Sequence, residues 1–342
     1  MLTVAYLGFG NSVCKYHLPY LSKRKDCVQV KYIYRRIEDV EKEGKDKEKW
    51  YPKITFTNDI NDILLDEEVN LVVINTPNNT HVEYSMLALK HGKNILCEKP
   101  FAMSAKEAKQ VFKYAKENGL IAMSNQNRRF DADFQTIKKV IDSKVLGDLI
   151  EIESHYDYYR PQFVKDINYF RFLFGLAVHP LDQIVSLFGK PNRVVADVRS
   201  IAHPGLSDDY YDFDLFYNGF KAIVKTCYYI KSDYPKFIVH GTKGSFILPA
   251  QGHISSNSNN NGPIEISEET ADPKFWGTLS YFDDHNEDIT MKVPTEITDY
   301  GKIYDNLNDA INHHGEKIVK DEEVISVLEI IKTGLQVAKE AK

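Results

Sequence analysis

The sequence predicts a doubly wound α/β domain on a parallel sheet, followed by an α+β domain with a large open, mainly antiparallel sheet. Three observations predict it. Short, fully apolar runs alternate with helical patterns over the first third of the chain, as in a parallel sheet covered on both faces. From about Gly147 the runs alternate apolar with polar, with turns between them and few helices, which is the texture of an α+β unit. A chain of 342 residues also suits two domains better than one. The division falls between residues 1–123 and 124–342.

In the first domain, residues 2–7 form the opening strand, and a glycine turn and a helix near 16–23 follow. Residues 28–34, 54–57, 71–75, 94–97 and 120–124 continue the strand series. Two helix starts carry the capping-box pattern, Thr80-His81-Val82-Glu83 and Ser104-Ala105-Lys106-Glu107. After the second, Ala105, Ala108, Val111, Phe112 and Ala115 share one face, and Gly119 closes the helix. In the second domain, residues 149–159, 193–200, 212–217, 221–230 and 237–240 read as strands, with a helix beginning near His179. Residues 255–262 are nearly all Ser and Asn and read as a loop. Two helices end the chain, the last with Val324, Val327, Leu328, Ile331, Leu335 and Ala338 in one apolar stripe.

Composition narrows the function. The net charge of −6 gives no basic footprint for nucleic acid. The charge run from Glu41 to Lys49 mixes both signs and fits a solvated loop or short helix. Cys14, Cys27, Cys97 and Cys227 stand apart, with no CxxC pair to suggest zinc or a disulfide framework. That spacing fits a reducing, cytoplasmic location with no metal. No apolar run is long enough to span a membrane. Asn78-Asn79-Thr80 matches a glycosylation acceptor, a match without meaning in a cytoplasmic chain.

The segment from Val4 to Val13 runs from strand into turn. Gly8 permits a tight turn, Gly10 lets a pyrophosphate approach the backbone, and the helix that follows favours its charge. Phe9, Asn11 and Ser12 complete the turn, and Val13 stands where a third glycine is usual. The second strand ends at Arg35 and Arg36, where a unit that binds NAD carries an acidic residue. An arginine there can grip a 2′-phosphate, or simply be surface charge. Lys99, in Glu98-Lys99-Pro100, follows the strand at 94–97. Ligands bind at the carboxyl ends of such strands, and a lysine there can exchange a proton with a substrate hydroxyl. The Lys99–Pro100 bond is a candidate for the cis form.

Together these segments resemble the glucose–fructose oxidoreductase, inositol dehydrogenase and MocA (Gfo/Idh/MocA) family. The matching pieces are Gly8-Phe9-Gly10, His17-Leu18-Pro19, Thr76-Pro77-Asn78-Asn79-Thr80-His81, Glu98-Lys99-Pro100, Asn127-Arg128-Arg129-Phe130, Gly147-Asp148-Leu149 and Gly175-Leu176-Ala177-Val178-His179-Pro180-Leu181-Asp182. The resemblance implies a Rossmann domain that binds NAD(P), an open-sheet domain that binds substrate and dimerises, and a sugar, polyol or related carbonyl compound as substrate. It implies Lys99 as the active-site lysine and His179 as a substrate-side acid or base. The aspartate of the family's Asp-x-x-x-His motif is replaced by Gly175, so that role does not carry over. On the cofactor side it adds Thr76, Pro77, Asn78, His81, Glu98 and Asn127 to the glycine turn and the arginines. His17 receives no role.

Strand alternation sends Tyr156 and Tyr158 to one face, away from His155, Asp157 and Tyr159. Tyr156, Tyr158 and Arg160 are therefore candidates for binding substrate, and the same tyrosines equally fit ordinary sheet packing. Asp182, three residues after His179 on the same expected helix face, is a further candidate on the substrate side that could orient His179, and it equally fits a helix cap or a surface pair. The reading is an NADP(H)-preferring oxidoreductase, able also to use NAD, that assembles as a homodimer or homotetramer through the second-domain sheet. A biliverdin-reductase-like enzyme and a cofactor-sensing regulator on the same fold stand as alternatives.

Overall fold

The computed structural model describes residues 1–160, 172–202, 204–250, 263, 266 and 270–340. The loop expected at 255–262 lies outside the described residues. The chain runs β1 (Leu2–Leu7), α1 (Leu18–Leu21), β2 (Val28–Tyr34), α2 (Ile37–Glu43), β3 (Thr55–Thr57), α3 (Asn61–Leu64), β4 (Leu71–Ile74), α4 (His81–Lys90), β5 (Asn94–Cys97), α5 (Ala105–Glu117) and β6 (Ala122–Ser124). It continues through α6 (Ala132–Asp142), β7 (Leu149–His155), α7 (Val178–Phe188), β8 (Arg193–Arg199), β9 (Tyr210–Phe216), β10 (Lys221–Cys227), β11 (Phe237–Gly241), β12 (Gly244–Leu248), β13 (Gly277–Phe282), β14 (Asp288–Val293), α8 (Lys302–Asn312) and α9 (Asp321–Glu340).

Two compact units result. The first is built mainly from Met1–Asn127 and Asp299–Ile325, the second mainly from Arg128–Ser256 and Glu268–Thr298 with the chain from Ser326. The sequence division at 123/124 puts α8 with the second domain, whereas the segment holding α8 packs as part of the first unit. Tyr304 of α8 hydrogen-bonds Tyr6 of β1, and Arg24 bonds both Asp299 and Asp305.

The first unit holds a six-stranded sheet in the order β3-β2-β1-β4-β5-β6, every neighbouring pair parallel. Every residue of β1 and β4 is buried, because helices cover both faces of a doubly wound sheet. Strand order reverses between β1 and β4, which opens a crevice at their carboxyl ends. Ser104 caps α5 as its sequence pattern predicts, accepting from Glu107 N and donating to the Glu107 carboxylate. Thr80 makes no such cap. Its hydroxyl turns back to Thr76 and Pro77 O.

The second unit holds an eight-stranded sheet in the order β14-β13-β12-β11-β7-β10-β9-β8, antiparallel except for β7 beside β10. One face is apolar, with Ile152, Val198, Tyr211, Phe213, Leu215, Val224, Phe237 and Phe246 buried. The other carries charge. Lys221 lies between Glu151 and Asp214, and Lys225 meets Asp212. Strands β12, β13 and β14 extend the sheet beyond those read from the sequence. Among the described residues no helix is long and apolar enough to cross a membrane.

Candidate functional site

The first unit's site begins at the glycine turn. Gly8 has φ +103°, and a Cβ there would stand 2.2 Å from Asn75 O. Only glycine lets the ends of β1 and β4 close to this distance. At Gly10 a Cβ would meet nothing nearer than 3.9 Å, so the turn stays open where a pyrophosphate would approach. A tight glycine followed by an open one fits a dinucleotide cradle. Residues 11–21 are helical, with a π turn over Val13–His17 that was not expected. Val13 is fully buried. The Phe9 ring packs edge-on against Tyr51 and Phe56, so it belongs to the core and leaves only its backbone to the turn.

The arginines separate. Arg35, expected to be free for a phosphate, is 4% exposed. Its guanidinium donates to Gly44 O at 2.8 Å, Glu48 at 2.7 Å and Glu43 at 3.2 Å. The expectation of a phosphate-gripping Arg35 therefore does not hold: a buried guanidinium must be neutralised, and two glutamates of the mixed-charge run, Glu43 and Glu48, do so. Arg36 keeps half its side chain exposed and meets only Asp39 among the ion pairs of the described residues.

Three strand ends converge below Lys99. Glu98 N donates to Ile74 O, which ties β5 to β4, and Asn125 N donates to Cys97 O, which ties β6 to β5. The Lys99–Pro100 peptide is cis. Glu98 Oε1 accepts from His17 Nε2 at 2.8 Å, Asn125 Nδ2 at 2.6 Å and Ser12 Oγ at 3.1 Å. Burial alone would raise the Glu98 carboxyl, but the hydrogen bond from His17, the nearby Lys99 charge and the bond from Asn125 hold it below the ordinary carboxylate range. His81 is buried, with Nδ1 on Pro100 O at 2.7 Å and Nε2 on Thr76 O at 2.9 Å. It joins the loop after β4 to the one after β5, and burial lowers its proton affinity. Asn78 opens a short 3₁₀ turn after Pro77, and Asn127, 8% exposed, opens another after β6.

In the second unit, His179 sits in the first turn of α7, 6% exposed. A π turn over Leu173–Ala177, containing Gly175, precedes it. Asp182 is not open to a substrate. Both its oxygens accept from Arg129, Oδ2 from Nε and Oδ1 from Nη2, each at 2.7 Å. Tyr156 is likewise buried, because β7 ends at His155 and the ring turns inward. Its hydroxyl donates to Gln183 at 3.2 Å, and Gln183 in turn donates to Arg128 O. Arg129 and Tyr156 thus anchor α7 one turn beyond His179. Tyr158 and Arg160 do come together, the guanidinium 4.8 Å over the ring, with Arg160 exposed.

Pattern reading misses a second group of ionisable side chains here. Burial raises Asp133 to about 6, against the pull of Lys236, and lowers Lys236 to about 7, against the pull of Asp133. Lys236 lies over the Tyr156 ring and donates to His155 O at 3.1 Å. Asp133 appears in sequence as one of many acidic residues opening a helix, and nothing local distinguishes it. Its raised carboxyl has a consequence. Between the ordinary carboxylate range and about pH 6 the native state holds a proton that the unfolded chain has lost, so the destabilisation grows with pH and is complete above 6. Asp133→Asn is therefore expected to raise the melting temperature more at pH 7.5 than at pH 4, as read by circular dichroism. An equal or larger gain at pH 4 would refute this.

Among the described residues no group of three or more His, Cys, Asp or Glu could hold a metal ion. Residues 2–126 match the family model described as "Oxidoreductase family, NAD-binding Rossmann fold". Residues 138–342 match its companion, "Oxidoreductase family, C-terminal alpha/beta domain". The chain belongs to the Gfo/Idh/MocA oxidoreductase family. It is 40% identical to the uncharacterized oxidoreductase YhhX of Escherichia coli (strain K12), over 99% of this chain and 97% of that one. It is 27% identical to scyllo-inositol 2-dehydrogenase (NADP(+)) IolW of Bacillus subtilis (strain 168), over 100% of this chain and 95% of that one. The crystal structure of an oxidoreductase from Bacillus cereus superposes with a TM-score of 0.88 at 36% identity, covering 98% of this chain and 96% of that one.

Proposed function

We propose that this oxidoreductase moves a hydride between NADP(H) and a CH–OH or carbonyl carbon of a small polyhydroxy compound, a sugar, polyol or derivative. The observation that carries the reading is Lys99, at the carboxyl end of β5 beside the half-buried and multiply bonded Glu98. A family relative named as an NADP(+)-dependent inositol dehydrogenase supports the substrate class. The bound nicotinamide supplies the hydride chemistry. Lys99 holds and releases the proton of the substrate hydroxyl. His179 serves as acid or base on the substrate side, and Tyr158 with Arg160 binds substrate. Gly8, Gly10, Asn11, Ser12, Thr76, Pro77, Asn78 and Asn127 line the cofactor's course, and Phe9 and Val13 shape the turn from within. Oxidation of a polyol panel with NADP+, and reduction of the matching keto compounds with NADPH, tests the reading. Tight cofactor binding without turnover across both panels would replace it with a cofactor sensor, a reading that the loss of the aspartate at Gly175 keeps in play.

The preference for NADP(H) rests on Arg36. With Arg35 neutralised by glutamates, Arg36 is the strand-end guanidinium with half its surface open. A charge-assisted bond at so exposed a site contributes toward the low end of its range, which gives about ten-fold preference. Arg36→Asp is expected to weaken NADPH binding by about ten-fold and leave NADH nearly unchanged, measured by fluorescence titration. Equal wild-type affinity for the two cofactors would defeat the assignment. We further propose a cytoplasmic homodimer or homotetramer formed through the charged face of the second sheet. Val195 and Ile247 stand 45% and 40% exposed on that face.

A further inference from the structure

His17 terminates the π turn that follows the glycine turn. A π turn inserts one residue, so the side chains after it are stepped around the helix axis. His17 is thereby directed inward and is 1% exposed. On one side its Nε2 meets Glu98 Oε1 at 2.8 Å. On the other its Nδ1 meets Tyr304 Oη at 2.5 Å, and Tyr304 Oη meets Tyr6 Oη at 2.5 Å. Both phenols are buried, so the row ends inside the unit and does not conduct protons to solvent.

The placement of hydrogens follows by accounting. Nε2 faces an ionised carboxylate oxygen, and two lone pairs would repel at that distance, so Nε2 carries a hydrogen. Asn125 Nδ2 lies 3.2 Å from the same nitrogen because both converge on Oε1. If Nδ1 also carried a hydrogen, one of the two phenol hydrogens would be left without an acceptor among the described residues. With Nδ1 bare, Tyr6 donates to Tyr304, Tyr304 to His17 and His17 to Glu98, and every polar hydrogen is used. Buried rows of this kind persist when fully satisfied.

We propose that His17 is a positioning residue that holds Glu98 in one orientation, and that Tyr304, capped by Tyr6, fixes the His17 ring in the form with hydrogen on Nε2 only. Three donors then saturate Oε1, and Oε2 is left to the Lys99 side, where it already accepts from Lys99 N at 3.3 Å. The anion beside Lys99 is thus fixed in place from outside the segment after β5 that carries both residues. The effect on turnover rests on the reading of Lys99 given above. The hydrogen placement does not.

Two measurements test it. In the protein without cofactor, two-bond 1H–15N correlations of the His17 ring, assigned by difference with His17→Gln, should show the neutral Nε2–H pattern at neutral pH. Tyr304→Phe should disturb that pattern. An imidazolium or Nδ1–H pattern in the wild type would overturn the proposal. In turnover, Tyr304→Phe should lower kcat by about 3–10-fold and His17→Leu by about 10–150-fold. His17→Gln, whose amide can reach where Nε2 does, should recover most of the loss. Adding Tyr304→Phe to His17→Gln should cost nothing more, because the amide needs no tautomer fixed. A residue that only packs would lower the melting temperature in every variant, with additive effects and no rescue, and that outcome would refute positioning. Wild-type turnover in Lys99→Ala would defeat the Lys99 reading instead and leave the resonance result standing.

Discussion

Lys99→Ala is expected to leave NADPH binding within a few-fold of wild type and to remove most turnover. General acid–base groups contribute about 10²–10⁴-fold, and the larger part of that range applies if no second group takes over the proton. The carboxyl end of β5 stays in place without the side chain, because Glu98 N is bonded to Ile74 O and its carboxylate is held by three donors. A loss of activity would therefore report on the ammonium rather than on a collapsed loop. Stopped-flow single turnover with saturating NADPH separates chemistry from binding. Near-wild-type rates would remove Lys99 from the mechanism.

Arg129→Met carries the largest expected cost in stability. Arg129 and Asp182 are 6% and 2% exposed and doubly bonded. Removing one partner of a buried pair, here taking away both bonds that Arg129 gives Asp182, costs about 3–5 kcal/mol. For a unit of this size that corresponds to roughly 10 °C in melting temperature. The pair itself contributes far less than its rupture suggests, since apolar residues of like volume often replace such pairs without loss. The double variant Arg129→Met with Asp182→Leu should therefore recover much of the stability. Urea unfolding of both single variants and the double variant decides the matter. A double variant no better than the single ones would show that the two side chains do not act as a pair.

The parallel sheet is legible in sequence because β1, β4 and β5 are apolar almost throughout, and only a strand covered on both faces tolerates that. The glycine turn is legible because backbone geometry restricts which residue fits at Gly8, whereas Lys99 is singled out only by the resemblance of the segments around it. Arg35 illustrates the limit. Its charge at a strand end is visible, but which carboxylates neutralise it depends on how α2 and the following turn fold back. Asp182 and Tyr156 fail in the same way, since their partners Arg129 and Gln183 lie 53 and 27 residues away. The π turns leave no periodic trace, because one inserted residue looks like ordinary irregularity. His17 gains its meaning from Tyr304, at a separation of 287 residues, and no local pattern carries information over that distance.

That separation also sets a timetable for synthesis. The first unit's sheet is complete once β6 emerges from the ribosome, yet its interior still lacks Tyr304, and Arg24 still lacks Asp299 and Asp305. At ribosomal rates about 10–35 s pass before α8 follows. During that interval Tyr6 and His17 have no phenol to meet, and the surface that α8 will cover is bare. A chain released early would carry a finished nucleotide-binding sheet with an unfinished interior, exposed to proteases and chaperones.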